Sequence, residues 1–488
     1  MIELINVFES PLGLFKEQKT KRFKKSHDVV RSELIYHGLF TASDAPVDQI
    51  QQCRIGVVFS GGPAPGGHDV ISGILSHLRS GDELIGFLGG PGGLLRGEHK
   101  LISTDDMDLI EGMGGFDFLG TDRTKISSSD QFSEVKSVIE RLKLSSLIII
   151  GGDDSNTNAL YLADALYGIC NVIGIPKTID GDLQCHPYLP ISFGFHTATQ
   201  HYSALVQQLK VDALATNKYW HLIKLMGRSA SHVTLEVALQ THPHACVLTE
   251  EIMDLGWSLR DLLDYFVQVI LDRLTSNKPF GVIVFPEGIL DAFSEFKALM
   301  QGQFEPINNL LAGMGVQPLQ LTHVDEDEHG NKNVSTFNTE KILMDLIMAN
   351  LRHHGSAAKG IKMVSHFFGY TGRADDPTSF DSAYSLLLGK TAYELGLSGV
   401  SGVMVGCDFS NDIPQPLGIP LHAMVDFDSE KSRHVIQKEM VSLEASDFKL
   451  YKKNKASWVS LDVSIPRPAL FEAPKRIEMD YLQKGQDV

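Results

Sequence analysis

A chain of 488 residues, 43% hydrophobic and 21% charged, has the apolar content to bury a large core, which excludes disordered and fibrous classes and predicts two or more α/β-sized domains. Its 60 acidic residues outweigh 43 Lys and Arg, and the formal charge of -17 argues against a nucleic-acid or anionic-membrane binder, because such proteins need a cationic surplus to release counterions. Any phosphate must be caught by local cations and backbone amides.

Residues 1–53 read as an N-terminal extension whose basic run (Lys16, Lys19, Lys21, Arg22, Lys24, Lys25) is expected to be a solvated helix face, since no aromatic side chains interleave with the charges. Met1 to Leu4 lack the basic and long apolar segments of a signal peptide, and no stretch reaches the roughly 18 apolar residues of a membrane span. Cys53, Cys170, Cys185, Cys246 and Cys407 form no C-x-x-C pair and read as reduced thiols without structural zinc. A cytoplasmic protein is expected.

From Arg54 the texture changes to short apolar runs, each ending in Gly, Pro or Asp and each followed by a helical pattern, which predicts βα units and parallel sheets. Ile55 to Phe59 precedes the loop Ser60-Gly61-Gly62-Pro63-Ala64-Pro65-Gly66-Gly67-His68. Leu147 to Ile150 precedes Gly151-Gly152-Asp153-Asp154, and Val172 to Ile175 precedes Pro176-Lys177-Thr178-Ile179-Asp180-Gly181-Asp182. Gly281 to Phe285 precedes Pro286-Glu287-Gly288, and Met363 to Phe368 precedes Gly369-Tyr370. Ligands of open α/β sheets bind beyond the carboxyl ends of the strands, so these loops outline one expected site.

Other segments read as scaffold. Residues 289–340 are less regular, and Asp325-Glu326-Asp327-Glu328 lacks the D-x-D-x-D-G register of a calcium loop, so a solvated insertion or lid is expected. Leu388-Gly389-Lys390-Thr391 resembles half of a Walker A loop, but Tyr384 stands at the place of the first Gly, so a helix end is expected instead. Thr241-His242-Pro243-His244 and His353-His354 lack metal-ligand spacing.

The first loop's glycines let main-chain N–H groups approach phosphate oxygens at a helix N-terminus, although a tight βα turn needs them too. In the second, Asp153 is placed to hold a hard cation such as Mg²⁺ together with phosphate oxygens, while Asp154 or Ser155 suits helix capping. The third combines a candidate general base (Asp180), a cation for charge developing on a transferred phosphoryl group (Lys177), a hydroxyl (Thr178) and a second carboxylate (Asp182). Met226-Gly227-Arg228, Glu287, Tyr370 and Arg373 suit an acceptor sugar phosphate, with surface salt bridges or turns as the alternative.

Together these segments resemble the phosphofructokinase family, and within it the long pyrophosphate-dependent branch. SGGPAPGG from Ser60, GGDDSNTNA from Gly151, PKTIDGDL from Pro176, MGRSASHVTLE from Met226 and FFGYTGR from Phe367 carry the resemblance, in family order, between Arg54 and Asp428. It implies an α/β fold of two doubly wound Rossmann-like domains with the active site between them. The expected boundaries are 54–193 for the phosphoryl-donor domain, with part of 375–450 crossing back, 194–374 for the sugar-phosphate domain, and 451–488 for a C-terminal segment. The implied reaction is reversible transfer from pyrophosphate to the 1-hydroxyl of fructose 6-phosphate by a Mg²⁺-using homodimer. In it Asp180 is the base, Asp182 assists and Asp153 helps hold the metal. Met226, Gly227, Arg228, Glu287, Tyr370 and Arg373 take the sugar phosphate, while Gly62 and Arg123 take the donor.

ATP-dependent members of the family usually carry Gly where Asp154 and Lys177 stand here. A carboxylate at Asp154 repels the α-phosphate of ATP, a like-charge contact that costs several kcal/mol. Pyrophosphate has no α-phosphate or adenosine to place, and Lys177 grips the smaller donor. An ATP-dependent enzyme, a regulatory paralogue without catalysis and a dinucleotide oxidoreductase are the rival readings. The acids at Asp180 and Asp182 speak against the second, and the missing G-x-G-x-x-G against the third. Cations lent across a subunit interface are not legible, and Lys359 and Lys362 are named only as guesses.

Overall fold

The run Ser146–Gly151 is buried along its whole length, the burial of a strand covered on both faces of a parallel sheet. In the computed structural model residues 52–186, 188–301, 303–315, 338–352, 354–355, 360–409, 414–429 and 433–462 are described. The N-terminal basic run, Asp325 to Glu328, Lys359 and the tail beyond Arg467 lie outside the described residues.

The chain divides into two compact units. The first gathers the described residues up to Ala198 and those of Gly372–Glu439, and the second gathers those of Thr199–Thr371 and those from Met440 onward. In chain order the first unit holds β1 (Arg54–Phe59), β2 (Glu83–Phe87), β3 (His99–Ile102), β4 (Ser146–Gly151), β5 (Asn171–Thr178) and β6 (Phe193–Gly194). The second holds β7 (Tyr219–Leu225), β8 (Ala245–Cys246), β9 (Gly281–Pro286) and β10 (Lys362–Phe368). The chain then re-enters the first unit with β11 (Val403–Asp408), β12 (Gln415–Pro420), β13 (Val425–Asp428) and β14 (Arg433–Ile436).

In the first unit the main sheet runs β12-β11-β5-β4-β1-β2-β3, with β6 paired to β5. Its middle is parallel, as the βα texture predicts, and both outer strands are antiparallel. The second unit's sheet, β10-β7-β9-β8, is parallel throughout. The α/β fold read from the strand-loop-helix texture is therefore the one observed.

Helix boundaries follow local chemistry. The helix α1 (Gly67–Leu75) follows the first glycine loop. The helix α2 (Ser129–Leu142) starts at a capping box between Ser128 and Gln131 and buries Val135, Val138, Ile139 and Leu142 at helical spacing. The helix α3 (Asp153–Ala165) begins on the two acids after β4, and α4 (Leu259–Thr275) on a second capping box, Ser258 with Asp261. The long α5 (Ser379–Leu397) holds the Leu388-Gly389-Lys390-Thr391 decoy in its interior rather than at a helix end. The reason is packing. A Cβ at Gly389 would lie 2.1 Å from the Val70 carbonyl oxygen, and one at Gly73 would lie 2.2 Å from that of Leu386, so these glycines let α1 and α5 touch backbone to backbone.

Two carboxylates lie buried by that contact. Asp381 accepts from the Gly194 amide at 3.0 Å, the Thr197 amide at 2.8 Å and the Thr197 hydroxyl at 2.5 Å. Asp69 accepts from the Gly112 amide at 2.9 Å. Burial pushes each carboxyl from its ordinary 3.8 up to about 6, against the pull of those donors. Below about pH 4 Asp69 is protonated in folded and unfolded chains alike. As the pH rises to 6 the unfolded chain releases the proton first, and stability falls. The full cost at neutral pH is about 3 kcal/mol. Asp69→Asn is expected to stabilise the protein by up to about that amount at pH 7.5, the gain shrinking toward zero below about pH 4. Denaturation at both pH values checks this, and an equal gain at both would contradict it.

Candidate active site

The loop that leaves β1 turns through Gly61 and Gly66, whose φ values of 86° and 104° strain any residue with a Cβ. Hydrogen bonds stitch this loop to its neighbours. The Ser60 amide donates to the Ile150 carbonyl at 2.9 Å, and the Ser155 hydroxyl donates to that of Ser60 at 2.8 Å. The Gly61 amide donates to the Asp122 carbonyl at 2.9 Å, and the Thr121 hydroxyl donates to the Gly61 carbonyl at 2.8 Å. The ends of β1 and β4 thus meet the segment that carries Arg123.

The end of β5 joins the same place through Lys177, whose ammonium donates to the Gly62 carbonyl at 2.7 Å and is 7% exposed with its residue. Burial lowers its pKa from 10.5 to about 8; Arg373 and Arg123 push the same way, while Asp180 and Asp153 oppose them. Arg373 lies against the opposite side of the loop, for a Cβ added to Gly62 would sit 3.2 Å from its guanidinium carbon. Two cations therefore meet at the Gly62 backbone, with Arg123 within electrostatic reach of Lys177, an arrangement that calls for an anion. The resemblance assigns Arg373 to the sugar phosphate; its observed neighbours are Gly62 and Lys177.

The acids gather beside these cations. Asp153 and Asp154 occupy the first turn of α3, where the helix dipole favours negative charge. Asp182 is buried in the loop after β5, and Thr178 braces that loop by accepting from the Asp180 amide at 3.0 Å and donating to Asp182 at 3.3 Å. One ammonium joins two of the acids: Lys438 lies 3.4 Å from Asp153 and 3.7 Å from Asp182. Asp180 is also felt by both Lys177 and Lys438. Burial raises the Asp153 pKa despite Lys438. At the outer edge Arg433 lies 3.6 Å from Asp154, whose side chain is 74% exposed.

In the second unit Met226, Gly227 and Arg228 follow β7, Glu287 follows β9 and Tyr370 follows β10, so the three groups leave the carboxyl ends of adjacent parallel strands. Gly227 has φ 113°, and its carbonyl accepts from the Gly288 amide at 3.2 Å. A Cβ at Gly288 would lie 2.3 Å from the Arg228 carbonyl oxygen, so backbone contact sets Glu287 beside that turn. The Tyr202 hydroxyl holds the next turn by donating to the Gly369 carbonyl at 2.6 Å, which leaves Tyr370 62% exposed. Lys362 is exposed on β10.

A match to the phosphofructokinase family covers residues 54–396, well over half of the chain. The chain belongs to the phosphofructokinase family. Among its relatives, the pyrophosphate–fructose 6-phosphate 1-phosphotransferase subunit beta of Ricinus communis is 37% identical over 469 residues, spanning 88% of this chain and 84% of that one. The Treponema pallidum and Entamoeba histolytica proteins named pyrophosphate–fructose 6-phosphate 1-phosphotransferase are each 35% identical, covering 85% and 88% of this chain and 80% and 87% of their own. The solved pyrophosphate-dependent phosphofructokinase of Marinobacter aquaeolei shares the fold, with a TM-score of 0.59 at 16% identity over 85% of this chain and 93% of that one.

Two cations of this phosphofructokinase-family site, Arg433 and Lys438, escape a reading of the sequence. Both lie beyond the residues that the family match covers, in a polar stretch that reads as surface. All five cysteines are free, and among the described residues no three His, Cys, Asp or Glu side chains form a metal-binding group and no helix is long and apolar enough to cross a membrane. Two acids, Asp153 and Asp182, suit a hard cation only if phosphate oxygens complete its shell.

The buried Lys177 implies a stability cost in a phosphofructokinase fold that holds no anion. Between pH 8 and 10.5 the unfolded chain binds more protons than the folded one, so this residue's penalty disappears as the pH rises through that window. Lys177→Met is expected to stabilise the substrate-free protein by up to about 3 kcal/mol at pH 7, with the gain reduced to about 1 kcal/mol at pH 10. Melting curves of both proteins at the two pH values test this, and a gain independent of pH would contradict it.

Proposed function

We propose that the protein transfers a phosphoryl group reversibly from pyrophosphate to the 1-hydroxyl of fructose 6-phosphate, giving fructose 1,6-bisphosphate and phosphate. The observation that carries this reading is the buried Lys177 ammonium on the Gly62 carbonyl, with Arg373 beside Gly62 and with Arg123, Asp153 and Asp180 within electrostatic reach of that ammonium. Such a site supplies fixed positive charge where a diphosphate's own charge must be held, and an ionised acid where a hydroxyl must lose its proton.

Asp180 takes the proton of the attacking hydroxyl. It lies within electrostatic reach of Lys177 and Lys438, and its backbone amide donates to the Thr178 hydroxyl. Lys177, Arg123 and the Gly62 loop hold the donor, with Arg373 beside them. Asp182, braced by Thr178, orients the loop that carries the base. The family resemblance gives the sugar phosphate to Met226, Gly227, Arg228, Glu287 and Tyr370 of the second unit, where a guanidinium suits the 6-phosphate and a carboxylate suits ring hydroxyls. Mg²⁺, held by Asp153 with the donor's own oxygens, would neutralise charge on the phosphoryl group in transfer.

The Asp154 carboxylate supports pyrophosphate over ATP, because at the mouth of α3 it is 74% exposed and only partly balanced by Arg433 at 3.6 Å, so it disfavours an α-phosphate there. Assays with fructose 6-phosphate, Mg²⁺ and each donor decide the point. Turnover is expected with pyrophosphate, and robust turnover with ATP alone would reverse the assignment. Asp180→Ala is expected to lower kcat by roughly 10² to 10⁴ while both KM values stay close to the parent's. Unchanged turnover would remove Asp180 from the role of base.

A cytoplasmic homodimer completes the proposal. Five free thiols support a reducing compartment, and the family resemblance supports the dimer. Plant relatives are named as subunits beta, and an Arabidopsis thaliana relative at 30% identity as a subunit alpha 2, so light scattering on the purified chain has assembly with a second polypeptide as its alternative outcome.

A further inference from the structure

The end of β14 and the chain that follows it are fastened at three backbone amides. That of Ile436 donates to the Thr157 hydroxyl at 3.0 Å, that of Gln437 to the Met424 carbonyl at 3.0 Å, and that of Glu439 to the Asp182 carbonyl at 2.8 Å. Thr157 lies one turn along α3 from Asp153. The backbone on either side of Lys438 is therefore tied to the same two elements that carry its carboxylate partners. The β13–β14 hairpin is pinned to α3 as well, since the Tyr161 hydroxyl donates to the His434 carbonyl at 3.1 Å.

A surface lysine gains little from an ion pair, because holding its flexible stem costs side-chain entropy. Here the anchors at Ile436 and Glu439 set the root of the stem, and the ammonium reaches two acids from different loops. Burial acts against its charge, but Asp153, Asp182 and Asp180 outweigh burial and raise its pKa. With Lys438 in place, the pair of carboxylates best suited to a divalent cation is already half neutralised.

We propose that Lys438 is a placeholder cation: it occupies the Asp153–Asp182 pair in the resting protein, and it releases them only when a divalent ion arrives with phosphate oxygens that the ammonium can bind instead. The inference rests on the phosphoryl-transfer reading and deepens it. It makes Lys438 a positioning residue that couples metal entry to donor entry. A free divalent ion meets a site holding a fixed positive charge within an ion-pair distance of both acids. The same ion carrying a diphosphate offers that charge a new partner, so repulsion is exchanged for attraction.

The test is equilibrium binding of Mn²⁺ to the full chain, followed by the electron paramagnetic resonance of the free ion, with and without imidodiphosphate as an unreactive donor analogue. The parent is expected to bind Mn²⁺ weakly alone and at least 100-fold more tightly with imidodiphosphate. Lys438→Met should bind Mn²⁺ alone at least tenfold more tightly than the parent, and imidodiphosphate should then add less than tenfold. Lys438→Arg should restore the parent's pattern, and Asp153→Asn added to Lys438→Met should abolish the gained affinity. Tight binding of Mn²⁺ to the parent without the analogue would overturn the proposal, whether or not the variants fold. So would a folded Lys438→Met protein with the parent's affinities, the result expected if Lys438 only braces the hairpin. The readout needs no turnover, so failure here leaves the phosphoryl-transfer reading standing, and failure of the pyrophosphate assay does not alter the metal-binding result.

Discussion

A buried ammonium on a backbone carbonyl, Lys177 on Gly62, organises the loops at the carboxyl ends of β1, β4 and β5. An amine so enclosed is costly as a cation, and its neighbours Arg123 and Arg373 make it costlier. The fold tolerates the arrangement because the end of β5, the loop after β1 and the first turn of α3 are held by hydrogen bonds that do not involve the charge. Ser60 to Ile150, Ser155 to Ser60 and Asn156 to the Gly151 carbonyl set the geometry first. The charges then occupy a framework that cannot relax around them, which is what electrostatic preorganisation requires.

Local and global charge have opposite signs here. The chain carries -17 overall, yet Arg123, Lys177, Arg373, Arg433 and Lys438 gather around the acids of the donor site. A strongly acidic exterior repels polyanions such as nucleic acid, while a local group of cations around the buried Lys177 still takes a small anion, because screening over a few ångströms is weak.

The core of each unit was legible because parallel strands buried on both faces read as unbroken apolar runs, as in Leu147 to Ile150, and because Gly and Asp mark where those runs stop. Asp153, Lys177, Asp180 and Asp182 were legible as candidates for the same reason: they stand directly after strands. The second sheet announced Glu287 and Tyr370 in the same way, through Gly281 to Phe285 and Met363 to Phe368. Arg433 and Lys438 gave no such signal. Their meaning comes from the pairing of β13 with β14 and from amides anchored on Thr157 and Asp182, contacts between residues far apart in sequence. Gly389 was expected at a helix end and lies in a helix interior for a related cause, because a glycine required by the approach of α5 to α1 looks locally like a helix terminator.

That distinction bears on how the donor site is specified. The family match ends at residue 396, whereas the cations paired with Asp153, Asp154 and Asp182 come from residues 433 and 438. The matched segment supplies the acids, the glycine loop and Lys177; the later hairpin supplies the charge that balances them. Acids at Asp153 and Asp154 without that hairpin would repel any diphosphate that Lys177 attracts. A change that adds carboxylates to a phosphate site is therefore sustainable only with a compensating cation nearby, and here it enters from a part of the chain whose own fold depends on docking to α3. Donor choice is on this view a property of the docked hairpin as much as of the loops that bear the acids.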